Sequence, residues 1–295
     1  MLPPVVQPTV ASALRSALAV LASLPTPRSD AEELLSRLLD VSRTQLHLLG
    51  GRTLTYAESA RLAAWLARRA AREPVQYITG RAAFRDLDLA VDPRVLIPRP
   101  ETEGLVEAVL EVLRAEAPRR AAPRVLELGT GSGAIALALA TEWPAAVVTA
   151  TDASAEALEV ARANATALEL AGRVRFLAGR WFEAVGAQER FEAVVSNPPY
   201  IATGERDALP ENVRSFEPPQ ALFSGASGLD AAREIVEQAP HHLVPGGLLA
   251  LELAEERVHQ VAGWLRGASV WQAVEVREDL ARRPRYLLAR SVVIR

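Results

Sequence analysis

The sequence lacks cysteine and lysine, and all 33 of its basic residues are arginine. Without cysteine, the chain cannot form disulfides, thiolate zinc sites, iron–sulfur clusters or a thiol nucleophile. Without lysine, it cannot form a Schiff base, which excludes pyridoxal phosphate enzymes of the usual lysine-linked kind. The four histidines, His47, His241, His242 and His259, lack the spacing of metal ligands, and no metal site is expected.

Long apolar runs and a strong charge of either sign are also missing. No run is long enough to span a bilayer, and the opening MLPPVVQPTV has no positive charge before its apolar residues, so the cytoplasm is the expected location. The net charge of −3 argues against binding to long stretches of nucleic acid, with a local basic face as the alternative, and no membrane partner is expected. With 295 residues, of which 49% are hydrophobic, the chain has room for two domains.

Helix signals fill the N-terminal part of the sequence. Three capping-box patterns, each an N-cap hydroxyl followed three residues later by Glu or Gln, predict helix starts. The pairs are Ser29 with Glu32, Ser42 with Gln45, and Thr55 with Glu58. Apolar residues at helical spacing, such as Leu62, Trp65 and Leu66, give the helices one face to bury. A small helical bundle is therefore predicted over residues 1–74.

The remaining sequence has strand signals. Residues 75–98 place short apolar stretches between Gly80, Asp86 and Asp92, which predicts a β-hairpin linker. Residues 99–295 alternate apolar strands with amphipathic helices, which is typical of an α/β, doubly wound parallel sheet. The predicted strands are 124–128, 147–151, 174–177, 193–196 and 248–253. Two later runs, 273–277 and 286–290, are too close together for a helical crossover, so an antiparallel edge is predicted.

A glycine-rich loop follows the first of these strands. Gly129, Thr130, Gly131, Ser132 and Gly133 close the strand and precede a helix that begins near residue 134. Such a loop lets a ligand approach the backbone and the free N–H groups of the helix. The stretch also satisfies the looser dinucleotide pattern G-x-G-x-x-[GA], so a nicotinamide enzyme is an alternative, as is a turn without a ligand.

Asp152 ends the next predicted strand. A carboxylate in that place can accept hydrogen bonds from both hydroxyls of a ribose, whichever nucleoside the ribose belongs to. The alternative is an N-cap for the helix that starts near Ser154. Asp152 therefore indicates a nucleoside without identifying it.

The tetrapeptide Asn197, Pro198, Pro199 and Tyr200 follows the predicted strand 193–196 and faces the same crevice beyond the strand ends. A planar NH2 nitrogen is a poor nucleophile, but two acceptors can hold its N–H bonds and favour the charge that develops when it is alkylated. Asn197 offers a side-chain oxygen and Pro198 a backbone oxygen, while Tyr200 offers a flat wall. The alternative is a Pro-Pro loop that only leaves the strand.

This order of motifs resembles the class I methyltransferases that modify exocyclic or amide nitrogens. Over most of its length the chain is similar to one family among them, the release-factor glutamine methyltransferases (PrmC/HemK). The motifs that carry the resemblance are residues 73–80 (EPVQYITG), 96–103 (LIPRPETE), 129–133, 197–200 and 216–222 (FEPPQAL). The N-terminal helices match in character only.

The resemblance implies an enzyme that transfers a methyl group from S-adenosylmethionine to a glutamine side-chain nitrogen. The substrate would be the Gly-Gly-Gln motif of class 1 peptide chain release factors, which act in translation termination, and the N-terminal bundle would dock them. The cofactor would be held by Gly129 to Gly133, Asp152, Trp181 beside the adenine, and Asn197. The glutamine would be held by Asn197, Pro198, Pro199 and Tyr200, of which Asn197, Pro198 and Tyr200 would be catalytic.

The sequence departs from this family at two places. Arg180 stands where members usually carry an acidic residue, and Leu253-Ala254 stands where a His-Gly pair is usual. The arginines at positions 61, 68, 69 and 72 are either a docking stripe or a solvated helix face.

Three other functions are compatible with parts of the sequence. A nucleic-acid amine methyltransferase would use the same tetrapeptide but needs a basic recognition surface. A protein that only binds S-adenosylmethionine would need no tetrapeptide. A dehydrogenase would need a hydride-transfer acid or base, which the sequence does not suggest.

Overall fold

The computed structural model describes residues 7–116 and 122–292. The helices are α1 (Val10–Val20), α2 (Pro27–Leu39), α3 (Arg43–Leu48), α4 (Tyr56–Ala70), α5 (Val75–Thr79), α6 (Pro100–Glu116), α7 (Ala134–Glu142), α8 (Ala155–Ala167), α9 (Glu211–Phe216), α10 (Asp230–Gln238) and α11 (Glu255–Gly267). The strands are β1 (Arg81–Phe84), β2 (Leu87–Ala90), β3 (Arg124–Leu128), β4 (Val147–Asp152), β5 (Val174–Ala178), β6 (Phe191–Ser196), β7 (Leu243–Glu252), β8 (Trp271–Glu278) and β9 (Pro284–Ser291). No helix within the described ranges is long and apolar enough to cross a bilayer.

The chain divides into two compact units. One runs up to Arg81 and includes Pro210–Phe216, and the other comprises Ala82–Leu209 and the chain from Glu217 onward. The first unit is helical, and its helices α1 to α5 bury one continuous apolar cluster that includes Leu34, Leu46 and Leu62. The predicted helical character of this part of the chain is confirmed.

The predicted helix starts in this unit have mixed outcomes. Ser42 and Thr55 cap α3 and α4, and both capping boxes are complete. The start predicted at Ser29 is wrong, because α2 begins at Pro27 and its N-cap residue is Thr26. Proline fixes its own φ at a helical value and lacks the N–H that would go unpaired there, so the helix starts two residues before the serine.

Most of the arginine stripe is engaged inside the helical unit. The guanidinium of Arg69 is buried and meets Asp30 at 2.8 Å. Arg68 pairs with Glu73 at 2.5 Å, and Arg72 pairs with Glu211 of α9 at 2.9 Å. Three of the four arginines therefore pair with carboxylates of this unit, and one of them, Arg69, is buried, whereas Arg61 and Arg68 are exposed.

The second unit contains a seven-stranded sheet in the order β5-β4-β3-β6-β7-β9-β8. The strands β3 to β7 are parallel, and β9 pairs antiparallel with both β7 and β8. Strands β3, β4 and β5 lie side by side in that order, and the chain then crosses to the other side of β3, where β6 and β7 follow. The predicted doubly wound sheet with an antiparallel edge is confirmed, and its topological switch point lies between β3 and β6.

Apolar side chains cover both faces of this sheet. Along β3, Val125 packs into a cluster with α6 and α7, whereas Leu126 packs into a cluster with α10 and α11. Burial of each such side chain contributes roughly 1.5–3 kcal/mol. Helix α7 is buried on every side from Ala134 to Ala140, and its many alanines let it lie close to the strands.

A buried asparagine fastens the β1–β2 hairpin to the sheet unit. Asn164 of α8 accepts a hydrogen bond from the Ala90 N–H at 2.7 Å and donates to the Ala90 carbonyl at 3.0 Å. Its amide nitrogen also donates to the Ser132 carbonyl in the glycine-rich loop at 2.9 Å. One side chain thus satisfies three backbone groups from two separate segments.

Replacing this amide should therefore be costly. We expect Asn164→Leu, which keeps similar volume, to lower the free energy of unfolding by about 2–4 kcal/mol, because three backbone groups lose their partner. Urea unfolding monitored by circular dichroism measures the change. Thr166→Ala on the exposed face of α8 is the control, and a loss of the same size there would contradict this explanation.

Candidate functional site

The register of the parallel strands brings the predicted site residues to one edge. Leu128 of β3 lies opposite Thr151 of β4 and Ser196 of β6, and Ser196 lies opposite Leu251 of β7. The next residue of each strand therefore falls in one row at the carboxyl edge of the sheet. These residues are Gly129, Asp152, Asn197 and Glu252. Three of the four were singled out from the sequence, and the row spans the switch point, where open α/β sheets bind ligands.

The glycine-rich loop has the backbone that only glycine adopts readily. Gly129, Gly131 and Gly133 have φ values of 75°, 54° and 86°. A Cβ at Gly131 would meet no atom within 4 Å, whereas one at Gly133 would approach the Leu137 side chain at 3.0 Å. The loop thus leaves space above Gly131 and packs tightly where it enters α7. Thr130 and Ser132 between the glycines are buried.

Glu127 lies beneath this loop and was missed by the sequence reasoning. Its buried carboxylate oxygen Oε2 accepts hydrogen bonds from the Thr130 hydroxyl at 2.6 Å and from the Ala136 N–H at 3.0 Å. Burial raises the pKa of Glu127 to about 8, against those hydrogen bonds, and the charge of Asp152 adds to the rise. The only sequence signal was an acid inside the apolar strand VLEL.

Asp152, the last residue of β4, connects this strand to the glycine-rich loop. Its Oδ2 accepts a hydrogen bond from the Gly131 N–H and its Oδ1 one from the Ser154 N–H, both at 2.8 Å. Burial raises the pKa of Asp152. The N-cap residue of α8 is Ser154, whose hydroxyl accepts from the Ala157 N–H at 3.1 Å. Asp152 is therefore not the N-cap residue of this helix.

Trp181 lies beside the loop in a left-handed conformation, with φ at 48°. The Thr151 hydroxyl donates to its carbonyl at 2.9 Å, and a Cβ on Gly129 would meet its ring at 3.4 Å. Its indole Nε1 is buried without a hydrogen-bond partner in the described part of the chain. The guanidinium of Arg180 meets Glu234 at 2.5 Å. A flat ring and an unsatisfied N–H thus border the glycine loop.

The residues 197–200 are fixed by two hydrogen bonds at the end of β6. The Ser196 hydroxyl donates to the Leu128 carbonyl at 2.7 Å, and Asn197 Nδ2 donates to Thr102 Oγ1 at 3.0 Å. Pro198 is buried, and Pro199 is partly exposed. Burial raises the pKa of Tyr200, so its hydroxyl stays protonated near neutral pH. The tetrapeptide is therefore held next to the glycine loop by the sheet itself.

Three polar residues in or near the row, Arg99, Glu217 and Glu252, were not picked out individually from the sequence. Arg99 pairs with buried Glu217 at 2.6 Å, which ties residues 96–103 to residues 216–222. Burial raises the pKa of Glu217, although Arg99 acts in the opposite direction. Glu252 is buried too, and burial raises its pKa to about 7. Their contacts join distant segments, so spacing along the chain carried no sign of them.

The arrangement suits a nucleoside next to a planar polar group. The loop backbone, Asp152 and Trp181 lie at β3 and β4, and Asn197 lies at β6 across the switch point. In the described ranges, no group of three or more His, Asp or Glu residues is arranged to hold a metal ion.

The raised pKa of Glu127 makes stability depend on pH. Between its ordinary value of 4.5 and about 8, the folded protein keeps a proton that the unfolded chain releases. This contribution to stability is therefore complete below pH 4.5 and is lost as the pH rises through 8. We expect the free energy of unfolding to fall by up to about 1.4 kcal/mol per pH unit across that window, relative to Glu127→Gln.

The glutamine variant is a close match, since both hydrogen bonds go to one oxygen of Glu127, which the amide oxygen can replace. Chemical unfolding of both proteins at pH values from 5 to 8 gives the difference directly. Parallel stability curves for parent and variant would show that Glu127 does not titrate in this range.

Solved structures share the fold. A methyltransferase from Pyrococcus furiosus aligns with a TM-score of 0.53 at 21% identity and covers 81% of this chain and 100% of its own. The hMettl16 catalytic domain, solved in complex with a MAT2A 3'UTR hairpin, aligns with a TM-score of 0.57 at 15% identity and covers 83% of this chain and 85% of its own. At these identities the likeness shows the class I methyltransferase architecture and no more.

Other proteins are much more similar to this chain in sequence than these solved structures are. Residues 12–80 match the PrmC N-terminal domain, and residues 106–213 match the methyltransferase small domain. A release factor glutamine methyltransferase of Koribacter versatilis is 42% identical over 96% of this chain and 99% of its own length. The protein of that name from Deinococcus radiodurans is 44% identical over 91% of this chain and 93% of its own. Identity at this level over nearly the whole length shows that the chain belongs to the release factor glutamine methyltransferase family, as the sequence motifs predicted.

Proposed function

We propose that this protein transfers a methyl group from S-adenosylmethionine to the side-chain nitrogen of the glutamine in the Gly-Gly-Gln motif of class 1 peptide chain release factors. The observation that carries the proposal is the row at the sheet edge, which places Asn197 directly across the switch point from Gly129 and Asp152. A cofactor bound at β3 and β4 would then have its reactive end close to a substrate held at β6. A cytoplasmic place of action is part of the proposal.

The residues on the β3 and β4 side fit S-adenosylmethionine. Space above Gly131 admits the ligand to the backbone N–H groups at the start of α7. Asp152 would accept hydrogen bonds from the ribose hydroxyls, and Trp181 would border the adenine with its unsatisfied indole N–H nearby. With an arginine at position 180, adenine recognition would depend on ring contact and backbone groups. When bound, S-adenosylmethionine supplies an electrophilic methyl group on a sulfonium sulfur.

The residues on the β6 side would hold the nucleophile. The NH2 group of a glutamine side chain has two hydrogens, and Asn197 Oδ1 and the Pro198 carbonyl would each accept one of them. As the C–N bond to the methyl group forms and the bond from that methyl group to sulfur breaks, leaving a neutral thioether, the nitrogen would become positive. Its N–H bonds would become stronger donors, so both contacts would strengthen in the transition state. The nitrogen would then release one proton to solvent and return to a neutral amide. Pro199 stiffens this turn, and Tyr200 would flank the planar group.

The helical unit would dock the release factor. Residues 12–80 match a domain that occurs in this family, and a separate compact unit can bind a protein without disturbing the sheet. Because Arg68, Arg69 and Arg72 are paired with carboxylates, a docking surface on this unit would not consist of the arginine stripe as a whole.

One experiment tests the proposed function directly. The protein is incubated with methyl-labelled S-adenosylmethionine and a release factor, and with the same factor carrying Gln→Ala in its Gly-Gly-Gln motif. Label on the first factor and none on the second supports the proposal. Duplex DNA and ribosomal RNA are offered in parallel, and label on either with none on the release factor would favour a nucleic-acid amine methyltransferase instead.

Asp152 should control the affinity for the cofactor. We expect Asp152→Ala to weaken S-adenosylmethionine binding by about 1.5–3 kcal/mol, because charge-assisted hydrogen bonds to the ribose are lost. Calorimetric titration measures the dissociation constant. Asp86→Ala removes the same charge from the exposed β1–β2 turn and should leave binding unchanged. Equal affinity of Asp152→Ala and the parent would exclude Asp152 from the site.

Asn197 should control the rate of methyl transfer. We expect Asn197→Ala to slow transfer by on the order of a hundredfold or more, because a preorganised acceptor is lost, with little change in cofactor affinity. Asn197→Asp keeps an acceptor oxygen but places a charge in a partly buried crevice, so its rate should lie between the two. Single-turnover rates at saturating S-adenosylmethionine decide the order. Transfer by Asn197→Ala at the parental rate would refute the proposed role.

A further inference from the structure

Three polar side chains, those of Asn197, Thr102 and Glu252, lie in series behind the crevice. Asn197 Nδ2 donates to Thr102 Oγ1 at 3.0 Å. The carboxyl group of Glu252 lies close enough to Thr102 for the hydroxyl to lower the pKa of Glu252, against the larger effect of burial. Thr102 is 4% exposed and Glu252 is 1% exposed, so water does not compete for these contacts. The three residues come from helix α6, the end of β6 and the end of β7.

The chemistry of the three groups sets the direction of these contacts. A contact with Thr102 that lowers the pKa of Glu252 favours the ionised carboxylate, which can only accept hydrogen bonds, and the threonine hydroxyl has a single hydrogen to donate. When Thr102 donates that hydrogen to Glu252, its oxygen can only accept from Asn197. The NH2 end of the Asn197 amide must then face Thr102, and its Oδ1 must face away.

We propose that Thr102 and Glu252 are positioning residues that fix the amide of Asn197 with Oδ1 turned toward the substrate nitrogen. The inference rests on the proposed function, in which Asn197 accepts a hydrogen bond from the glutamine NH2 group. An asparagine amide has nearly the same shape in both orientations, so packing alone does not distinguish them. In the flipped orientation Asn197 would present a donor to a donor, and the contact would be repulsive.

The surroundings of Glu252 agree with this role. Its Oε2 is buried without a hydrogen-bond partner among the described residues, so the carboxyl group is only partly satisfied. The charged and titratable groups near it are Arg285, Glu101, Arg99, Tyr200 and Tyr286. Burying an incompletely satisfied acid at the end of a strand costs stability, and an apolar residue there would pack at lower cost. A positioning role for Asn197 accounts for an acid in this place.

Variants of Thr102 separate positioning from packing. Thr102→Val keeps the shape and removes the hydroxyl, while Thr102→Ser keeps the hydroxyl. We expect Thr102→Val to lower the single-turnover rate about ten- to hundredfold with unchanged cofactor affinity, and Thr102→Ser to stay within about threefold of the parent. Glu252→Gln can present either end of its amide to Thr102, so its rate should fall by about threefold or more. Thr149→Val, at a buried threonine in the middle of β4, is the matched control and should keep the parental rate.

A double-mutant cycle shows whether Thr102 acts through Asn197. In the Asn197→Ala background there is no amide to orient, so adding Thr102→Val should change the rate by less than about twofold. The same loss from Thr102→Val in both backgrounds would assign Thr102 an independent structural role and overturn the proposal. A parental rate for Thr102→Val in the otherwise unchanged protein would overturn it too. A parental rate for Glu252→Gln would overturn the part assigned to Glu252.

The outcome also distinguishes this proposal from the proposed function. If Asn197→Ala transfers methyl groups to the release factor at the parental rate, the proposed site itself is wrong. If Asn197→Ala is slow while Thr102→Val is not, only the positioning proposal fails. Thermal unfolding of each variant is measured beside the kinetics. If Thr102→Val does not fold, Thr102→Ser and Glu252→Gln provide the test. Parental rates for both variants would overturn the positioning proposal, whereas a slow Glu252→Gln and a fast Thr102→Ser would support it.

Discussion

Parallel pairing of β3 with β4 on one side and β6 on the other determines where everything else in the site lies. Leu128 is opposite Thr151 and Ser196, so the residues that follow these three positions emerge together. A shift of one residue in either pairing would turn the strand's side chains to the other face and bury polar groups in the core. Side chains alternate between the two faces of the sheet, and the register that fills the two apolar clusters therefore also aligns the glycine loop with Asn197.

Carboxyl groups buried at this edge oppose stability and organise the site. Glu127 accepts hydrogen bonds from the Thr130 hydroxyl and from the first turn of α7, so it links the glycine loop to this helix. Glu252 lies at the end of β7 with one oxygen unsatisfied. Each acid would be replaced by an apolar residue if stability alone mattered. Their presence in β3 and β7, the strands on either side of β6, fits a site in which the orientation of hydrogen bonds matters more than the free energy of folding.

The sequence predicted the elements whose signals are local. Residues 124–128 form β3 as predicted, since Pro123 and Gly129 bound the apolar run. Strand β7 was predicted over residues 248–253 but runs over Leu243–Glu252, because an irregularity in its pairing with β6 lets the strand continue through Pro245, Gly246 and Gly247. The polar contacts around Asn197 were not predicted. They join residues almost a hundred positions apart, and only the tertiary fold brings a threonine of α6 to the end of β6.

The departure at Arg180 is understandable from the same contacts. Its guanidinium is neutralised by Glu234, so the pair brings no net charge to the edge of the crevice. The neighbouring Trp181 has an unusual backbone conformation that the Thr151 hydroxyl stabilises through the Trp181 carbonyl. Holding a bulky residue at positive φ costs of order 1–3 kcal/mol, and such strain persists where the surroundings enforce it. This conformation places the Trp181 ring and its unpaired indole N–H near Gly129, so the end of the sheet itself positions the aromatic surface that we propose borders the adenine.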